Sequence, residues 1–268
     1  MNVTSSKPLL KQLAFILIMC NILVTNAQNI QETLDAINSR FKNVEVSILN
    51  WPDELKPHLG DLKASAFIAL PLKKATGKIP LLITLHGGGG KVWSIEEQLS
   101  RSALVKGLSL AELSGKELML LEPNSFSSWD PKTLNIMLDF VLKQYPEIDT
   151  NRIYVMGHSM GGSGTWAWIQ DTPERFAAAS PSGFSSVRDT DDASKLVNLP
   201  IWGMVGGSDV KNVEPVKKMV HLLKEAGNPN VRYTAFPEAN HAQGNAKVFS
   251  AVECVDWMLS FSLKKEHD

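Results

Sequence analysis

The stretch IYVMGHSMGG, residues 153–162, runs an apolar segment directly into glycine, histidine, serine, methionine and two more glycines. A short unbroken apolar run reads as a strand buried on both faces, and such strands belong to parallel sheets covered by helices. The following GTWAWIQ reads as a helix. The serine therefore stands at the carboxyl end of a buried strand, where open α/β sheets bind their ligands. Gly157, Ser159 and Gly161 form G-x-S-x-G between strand and helix, the setting in which a tight turn lifts a serine hydroxyl above the sheet. Only residues with little or no side chain fit two positions to either side of that turn, so Gly157 and Gly161 read as steric requirements.

The rest of the chain repeats the alternation. VEVSIL, ASAFIALPL, PLLITL and LMLLEP read as strands before the serine. FAAASP, PIWGMVGG and VRYTAFP read as strands after it. TLNIMLDFVLKQY, VEPVKKMVHLLKEAG and a final helix through VFSAVECVDWMLSF carry apolar residues at helical spacing. This order predicts a mostly parallel sheet of about eight strands with helices on both faces. No repeat or low-complexity linker divides it.

A serine hydroxyl becomes a nucleophile when a positioned base takes its proton, and the base needs a carboxylate to fix its tautomer. In this setting the expected chain order is serine, acid, histidine. Asp209 stands just beyond PIWGMVGGS and His241 just beyond VRYTAFPEAN, so Ser159, Asp209 and His241 are the candidate catalytic residues. Rivals for the acid, Asp189, Asp191 and Asp192, fall in a polar loop and read as a solvated charge cluster. Among other histidines, His221 lies within a helix, His267 near the C-terminus and His58 in an early loop. His158, inside the turn, is expected to support it rather than titrate.

Attack on a carbonyl also needs donors for the oxyanion that forms. One is the backbone N–H of Met160, the residue after the serine. The other is expected from Gly87 or Gly88 in LITLHGGGG, where Gly87 to Gly90 let backbone approach a substrate closely. His86 is expected to anchor that loop. The glycine run lacks the lysine and Ser/Thr of a phosphate-binding loop in register. No H-E-x-x-H or paired-cysteine motif occurs among the six histidines and two cysteines, so neither metal nor cofactor is expected.

The 268 residues, 44% of them hydrophobic, suffice for one large α/β domain with a sizeable core. With 27 basic against 28 acidic side chains and no basic block, nucleic acid is a poor candidate partner. Lys7 and Lys11 precede an apolar run from Leu13 to Val24 that ends in Thr25-Asn26-Ala27, which reads as a signal peptide over residues 1–27 followed by a single domain over residues 28–268. The run is short of the roughly 20 residues a membrane span needs. Cys20 does not read as a lipidated cysteine, because bulky Ile18 and Met19 precede it. Cleavage would remove two lysines and no acids, leaving 25 basic against 28 acidic groups, a net charge of −3. It would also leave one cysteine, Cys254, which reads as a core residue and cannot form an intrachain disulfide.

LHGGGG, NRIYVMGHSMGGSGTW, PERFAAASPSGF, GGSD and ANH together resemble the α/β-hydrolase superfamily. Within it they are similar to secreted esterases of the polyhydroxybutyrate depolymerase, feruloyl esterase and acetylxylan esterase type, and to the catalytic domain of prolyl oligopeptidases. The resemblance implies Ser159 as nucleophile, His241 as base and Asp209 as its orienter. Relatives often read H-G-x-x-D before the acid, whereas this chain has Val205 in place of that histidine. Roughly 20 residues separate Pro181 from Pro200, too few for a lipase-like lid, and about 50 precede the core, too few for the propeller of an oligopeptidase. An open cleft on an exported enzyme fits an ester on a polysaccharide, such as an acetyl or feruloyl group. Trp129 is a candidate for stacking on a sugar or aryl ring, with packing as its alternative. Peptidase chemistry and a non-catalytic binding module are the other functional readings.

Overall fold

A computed structural model describes residues 28–72, 77–101, 116–188 and 191–263. The expected signal peptide, Asp189 and His267 lie outside the described residues. Eight strands form one sheet: β1 (Val44–Asn50), β2 (Leu62–Pro71), β3 (Ile79–Leu85), β4 (Met119–Ser125), β5 (Ile148–His158), β6 (Ala178–Ser182), β7 (Ile201–Gly206) and β8 (Val231–Phe236). Their order is β1-β2-β4-β3-β5-β6-β7-β8. Only β2 runs against the others, pairing antiparallel with both β1 and β4. The remaining pairs are parallel, as the buried apolar runs predict.

Helices are α1 (28–38), α2 (Ile95–Arg101), α3 (Pro131–Gln144), α4 (Met160–Asp171), α5 (Val210–Glu225), α6 (His241–Phe249) and α7 (Val252–Leu259). Strand side chains alternate between two cores. Leu81, Ile83, Leu85 and Val155 point toward α3, α4 and α5. Leu82, Tyr154 and Met156 point toward α1, α2, α6 and α7. Helix α3 shows how the sequence sets such an element. Asp130 caps it by accepting from the Thr133 N–H, Pro131 opens its first turn, and Leu134, Met137, Leu138 and Val141 bury one face at helical spacing.

The single final helix expected from the apolar spacing is two helices. Ser250 closes α6 through bonds to the Ala246 and Lys247 carbonyls, and Ala251, at φ −78° and ψ 77°, leaves helical geometry before α7. Cys254 is fully buried on α7, and burial pushes its thiol pKa up to about 12, so it is an unreactive core residue.

Parallel pairing brings the carboxyl ends of β3, β5, β6, β7 and β8 to one edge of the sheet. Leu85 on β3 lies opposite Gly157 on β5, which sets the glycine-rich loop beside Ser159. Gly206 on β7 lies opposite Phe236 on β8. There the Gly207 and Ser208 N–H groups donate to the Phe236 and Ala239 carbonyls, tying the loop of Asp209 to that of His241. Between β6 and β7 the described residues hold only a 3-10 turn, Ala193–Leu196, and no lid.

Candidate active site

Ser159 joins β5 to α4 with φ 60° and ψ −121°, a positive φ that a residue with a Cβ adopts only under constraint from its surroundings. The constraint is visible. A Cβ on Gly157 would collide with the Gly161 carbonyl, and one on Gly161 would collide with the Leu85 carbonyl, so the turn packs backbone against backbone on both sides. The Ser159 N–H donates to the Ser182 carbonyl at 3.0 Å, and its own carbonyl accepts from Ser163 at 2.9 Å. What results is a rigid serine at the N-terminus of a helix.

The serine hydroxyl lies 2.9 Å from His241 Nε2, and His241 Nδ1 lies 2.5 Å from Asp209 Oδ2. An ionised carboxylate only accepts, so Nδ1 carries the proton and Nε2 is free to accept the Ser159 proton. His241 opens α6. Its position is fixed by a reciprocal cap in which the Gln243 N–H donates to Asn240 Oδ1 and the Asn240 N–H donates to Gln243 Oε1. Asp209 is 7% exposed and sits at the N-cap of α5, whereas the His241 ring is 45% exposed. The base thus meets solvent while its partner is shielded.

Sequence reasoning missed one neighbour. Asn212, on the first turn of α5, places Nδ2 2.8 Å from Asp209 Oδ2 and 3.0 Å from His241 Nδ1. The reversed amide would set a carbonyl oxygen against the carboxylate, so Nδ2 donates to Asp209 alongside His241. The signal was an asparagine three residues after the acid, which in DVKNVEP looks like an ordinary helix-surface residue.

The Gly88–Val92 segment forms a 3-10 turn beginning beside Gly87, whose Cα hydrogens face Ser159. Three side chains outside it fix its shape. His86 Nε2 accepts from the Ser125 N–H at 3.0 Å, so Nδ1 holds the proton and donates to the Gly87 carbonyl at 2.8 Å. Burial lowers the His86 pKa to about 4 against the opposing Gly87 bond. Lys63 Nζ donates to the Gly90 and Trp93 carbonyls, each at 2.9 Å, and Gln98 also donates to Gly90. Met160 is the first residue of α4, where N–H groups have no intrahelical acceptor. Gly87 and Gly88 line the same cleft as Ser159.

Trp129 corrects an expectation. It is 5% exposed, its indole N–H donates to the His86 carbonyl at 3.1 Å, and its ring meets the His86 ring edge-on at 4.7 Å. It packs against Gly164 and supports the loop from beneath, out of reach of a ligand. The aromatic residues that do line the cleft are Trp93 and Phe249. The cleft, of about 470 Å³, is walled by the glycine loop, Trp93 and Arg101 and by Ala242, Asn245, Ala246 and Phe249, which share one face of α6.

Of the rival acids, Asp191 accepts from Trp166 Nε1 and the Arg188 N–H, each at 2.7 Å, and Asp192 caps a 3-10 turn through Ser194. Both serve structure. His158 is fully buried, with its ring 4.7 Å from that of His241 and its pKa lowered to about 4, first by burial and then by His241. Its nitrogens, Asp209 and His241 make up the only His/Cys/Asp/Glu group among the described residues compact enough to hold a metal ion.

A serine on a strained strand-to-helix turn, with the acid after β7 and the histidine after β8 of this sheet, is the arrangement of the α/β-hydrolase fold. The chain has that fold. A model of the prolyl oligopeptidase family matches residues 134–215, which span α3 to the start of α5. Esterase EstD of Thermotoga maritima is 21% identical over 75% of this chain and 64% of its own. An uncharacterized secreted protein of Arthroderma benhamiae is 24% identical over 63% of this chain and 22% of its own. The chain thus spans less than two thirds of the length of either relative. Among solved structures, a thermostable esterase is 26% identical with a TM-score of 0.63, covering 82% of this chain and 63% of that one. A ferulic acid esterase shares the fold at 15% identity and the same TM-score, covering 82% and 99%.

Proposed function

We propose that this α/β-hydrolase is a serine esterase that cleaves carboxylic esters through an acyl-enzyme, and that it acts outside the cytosol on acyl groups carried by carbohydrate. The continuous hydrogen-bonded chain from Ser159 Oγ through His241 to Asp209 carries the reading. His241 Nε2 takes the hydroxyl proton as Oγ attacks the carbonyl, and Asp209 Oδ2 stabilises the imidazolium. The backbone N–H groups of Met160 and of Gly87 or Gly88 receive the oxyanion. His241 then returns its proton to the leaving alcohol, and water repeats the sequence to release the acid and restore Ser159. No metal enters these steps.

The substrate class rests on shape and on the leader. An exposed base and a cleft without a lid among the described residues admit a small acyl group on a bulky alcohol. The basic-apolar N-terminus reads as an export signal, and the fold is shared with a ferulic acid esterase. The match to the prolyl oligopeptidase family favours a second reading, an acyl-peptide hydrolase.

Initial rates on p-nitrophenyl acetate, then on acetylated xylan, feruloylated oligosaccharide and acyl-peptide substrates, test these readings. Wild-type turnover is expected on the esters, with Ser159→Ala reduced by about 10⁴ or more while remaining folded. Retained activity in that variant would dismiss the mechanism, and turnover of peptides alone would move the assignment to the second reading.

A further inference from the structure

The strongest observation the proposed reaction does not use is His158. Its side chain is completely buried, lines the base of the cleft, and has no hydrogen-bond partner for either ring nitrogen among the described residues. Buried polar atoms without partners are uncommon, and one beside a reacting site calls for a ligand. Its surroundings keep the ring fixed. Gly183, at φ +54°, lets backbone lie directly against His158 Nε2, and Gly244 of α6 approaches the same atom without a side chain. One donor atom from each of His158, Asp209 and His241 lies within 4.8 Å of the others. Two imidazoles and a carboxylate are the donor set that zinc and neighbouring divalent transition metals take up.

We propose that His158, Asp209 and His241 form an inhibitory site for a divalent transition-metal ion of the zinc type, which switches the esterase off reversibly. Its effect on activity rests on the triad reading above; the binding itself does not. A tetrahedral ion with bonds of about 2.1 Å needs donors about 3.4 Å apart, so the His241–Asp209 pair, at 2.5 Å, must open by about an ångström while separations of up to 4.8 Å within the group must close. His241 is the member free to move, because its ring is half exposed while the other two are buried. The ion takes the Nδ1 lone pair, and the imidazole proton moves from Nδ1 to Nε2. No proton is lost from the neutral ring, but Nε2 becomes a donor and can no longer accept from Ser159. The carboxylate that oriented the base becomes a ligand, and the nucleophile loses its activation.

The test uses the full chain, Zn²⁺ for activity and Co²⁺ for spectroscopy. Zn²⁺ is expected to inhibit wild-type ester hydrolysis, with full recovery on adding a chelator. His158→Gln, compared with its own uninhibited rate, is expected to need more than about tenfold more Zn²⁺. His221→Ala, which removes a surface histidine beside Glu225, is expected to leave the inhibition constant unchanged. Co²⁺ should give visible ligand-field bands with wild-type and Ser159→Ala protein and none with His241→Ala. That measurement holds if His158→Gln does not fold or if no ester is turned over. Equal Zn²⁺ sensitivity of folded His158→Gln and wild type would overturn the proposal. So would loss of inhibition in His221→Ala, or Co²⁺ bands that persist in His241→Ala.

Discussion

The ammonium of Lys63 bonds the Gly90 carbonyl across 2.9 Å, joining β2 to the loop that faces Ser159. The lysine is 9% exposed, its second acceptor is the Trp93 carbonyl, and it lies 5.1 Å from the centre of the Phe126 ring. No carboxylate pairs with it among the described residues. A buried cation held by carbonyl dipoles alone is costly, and burial lowers its pKa accordingly. What it secures is the shape of the loop whose Gly87 approaches Ser159.

Lys63→Met keeps most of the stem and removes the charge. Misplacing oxyanion donors weakens the transition state more than the bound substrate, so kcat should fall about ten- to hundredfold with KM little changed. Deprotonation has the same effect as the substitution. Wild-type activity should therefore decline as pH rises toward the lysine range, below the ordinary lysine pKa, and that alkaline limb should be absent in Lys63→Met. A rise in KM alone would show that Lys63 shapes binding instead.

Asn212 predicts an ordering of variants. Donation to Asp209 Oδ2 at 2.8 Å holds the carboxylate in line with His241. Asn212→Ala removes one hydrogen bond to a charged group, worth about 1.5–3 kcal/mol, so kcat should drop roughly tenfold or more. Asn212→Asp should be worse, because it sets a second carboxylate against the first. Asp209→Asn should be worst, up to about 10⁴, since the amide no longer holds the productive tautomer. Single-turnover rates for the three variants check the order, and parity of Asn212→Ala with wild type would remove Asn212 from the mechanism.

These two residues also mark where the sequence ceased to be readable. The turn around Ser159 was legible because Gly157 meets the Gly161 carbonyl only four residues on, within the motif itself, although Gly161 meets the Leu85 carbonyl of the neighbouring β3. Asp209 and His241 were legible because strand ends in a parallel sheet converge whatever lies between them. Lys63 was not. A lysine in DLKASAFIALP reads as solvent-facing, and the register shift between Leu62 and Ala66 that accompanies its burial depends on pairing with β4. Trp129 failed for a related reason, since its place near a strand end was visible but not that its indole would turn under the loop toward the His86 carbonyl.

Ala246 tests the wall formed by α6. Ala242 and Ala246 are small, exposed and one turn apart on the face that lines the cleft. Ala246→Trp should narrow the cleft without touching the hydrogen-bonded residues around Ser159. The kcat/KM ratio of a feruloyl ester to an acetyl ester is expected to fall by more than about tenfold. An unchanged ratio would place the bulky group elsewhere in the cleft.

His86 predicts how the fold responds to acid. Its folded pKa of about 4 lies below the ordinary histidine value of 6.5, because burial disfavours the charged ring by more than the bond to the Gly87 carbonyl favours it. Between those two values the unfolded chain takes up a proton that the folded chain refuses, so acid favours unfolding. The stability that His86 contributes is present above about pH 6.5 and is lost as pH falls toward 4. Urea unfolding at pH 7 and pH 5 should show this loss. His86→Asn, less stable at pH 7 because a loop brace is gone, should show a shallower dependence on pH. The imidazole resonance offers a direct check: the His86 ring protons should not titrate between pH 7 and pH 5 in the folded protein. A midpoint near 6.5 would mean that the ring is solvated, and that the glycine loop is held by Lys63 and Gln98 without it.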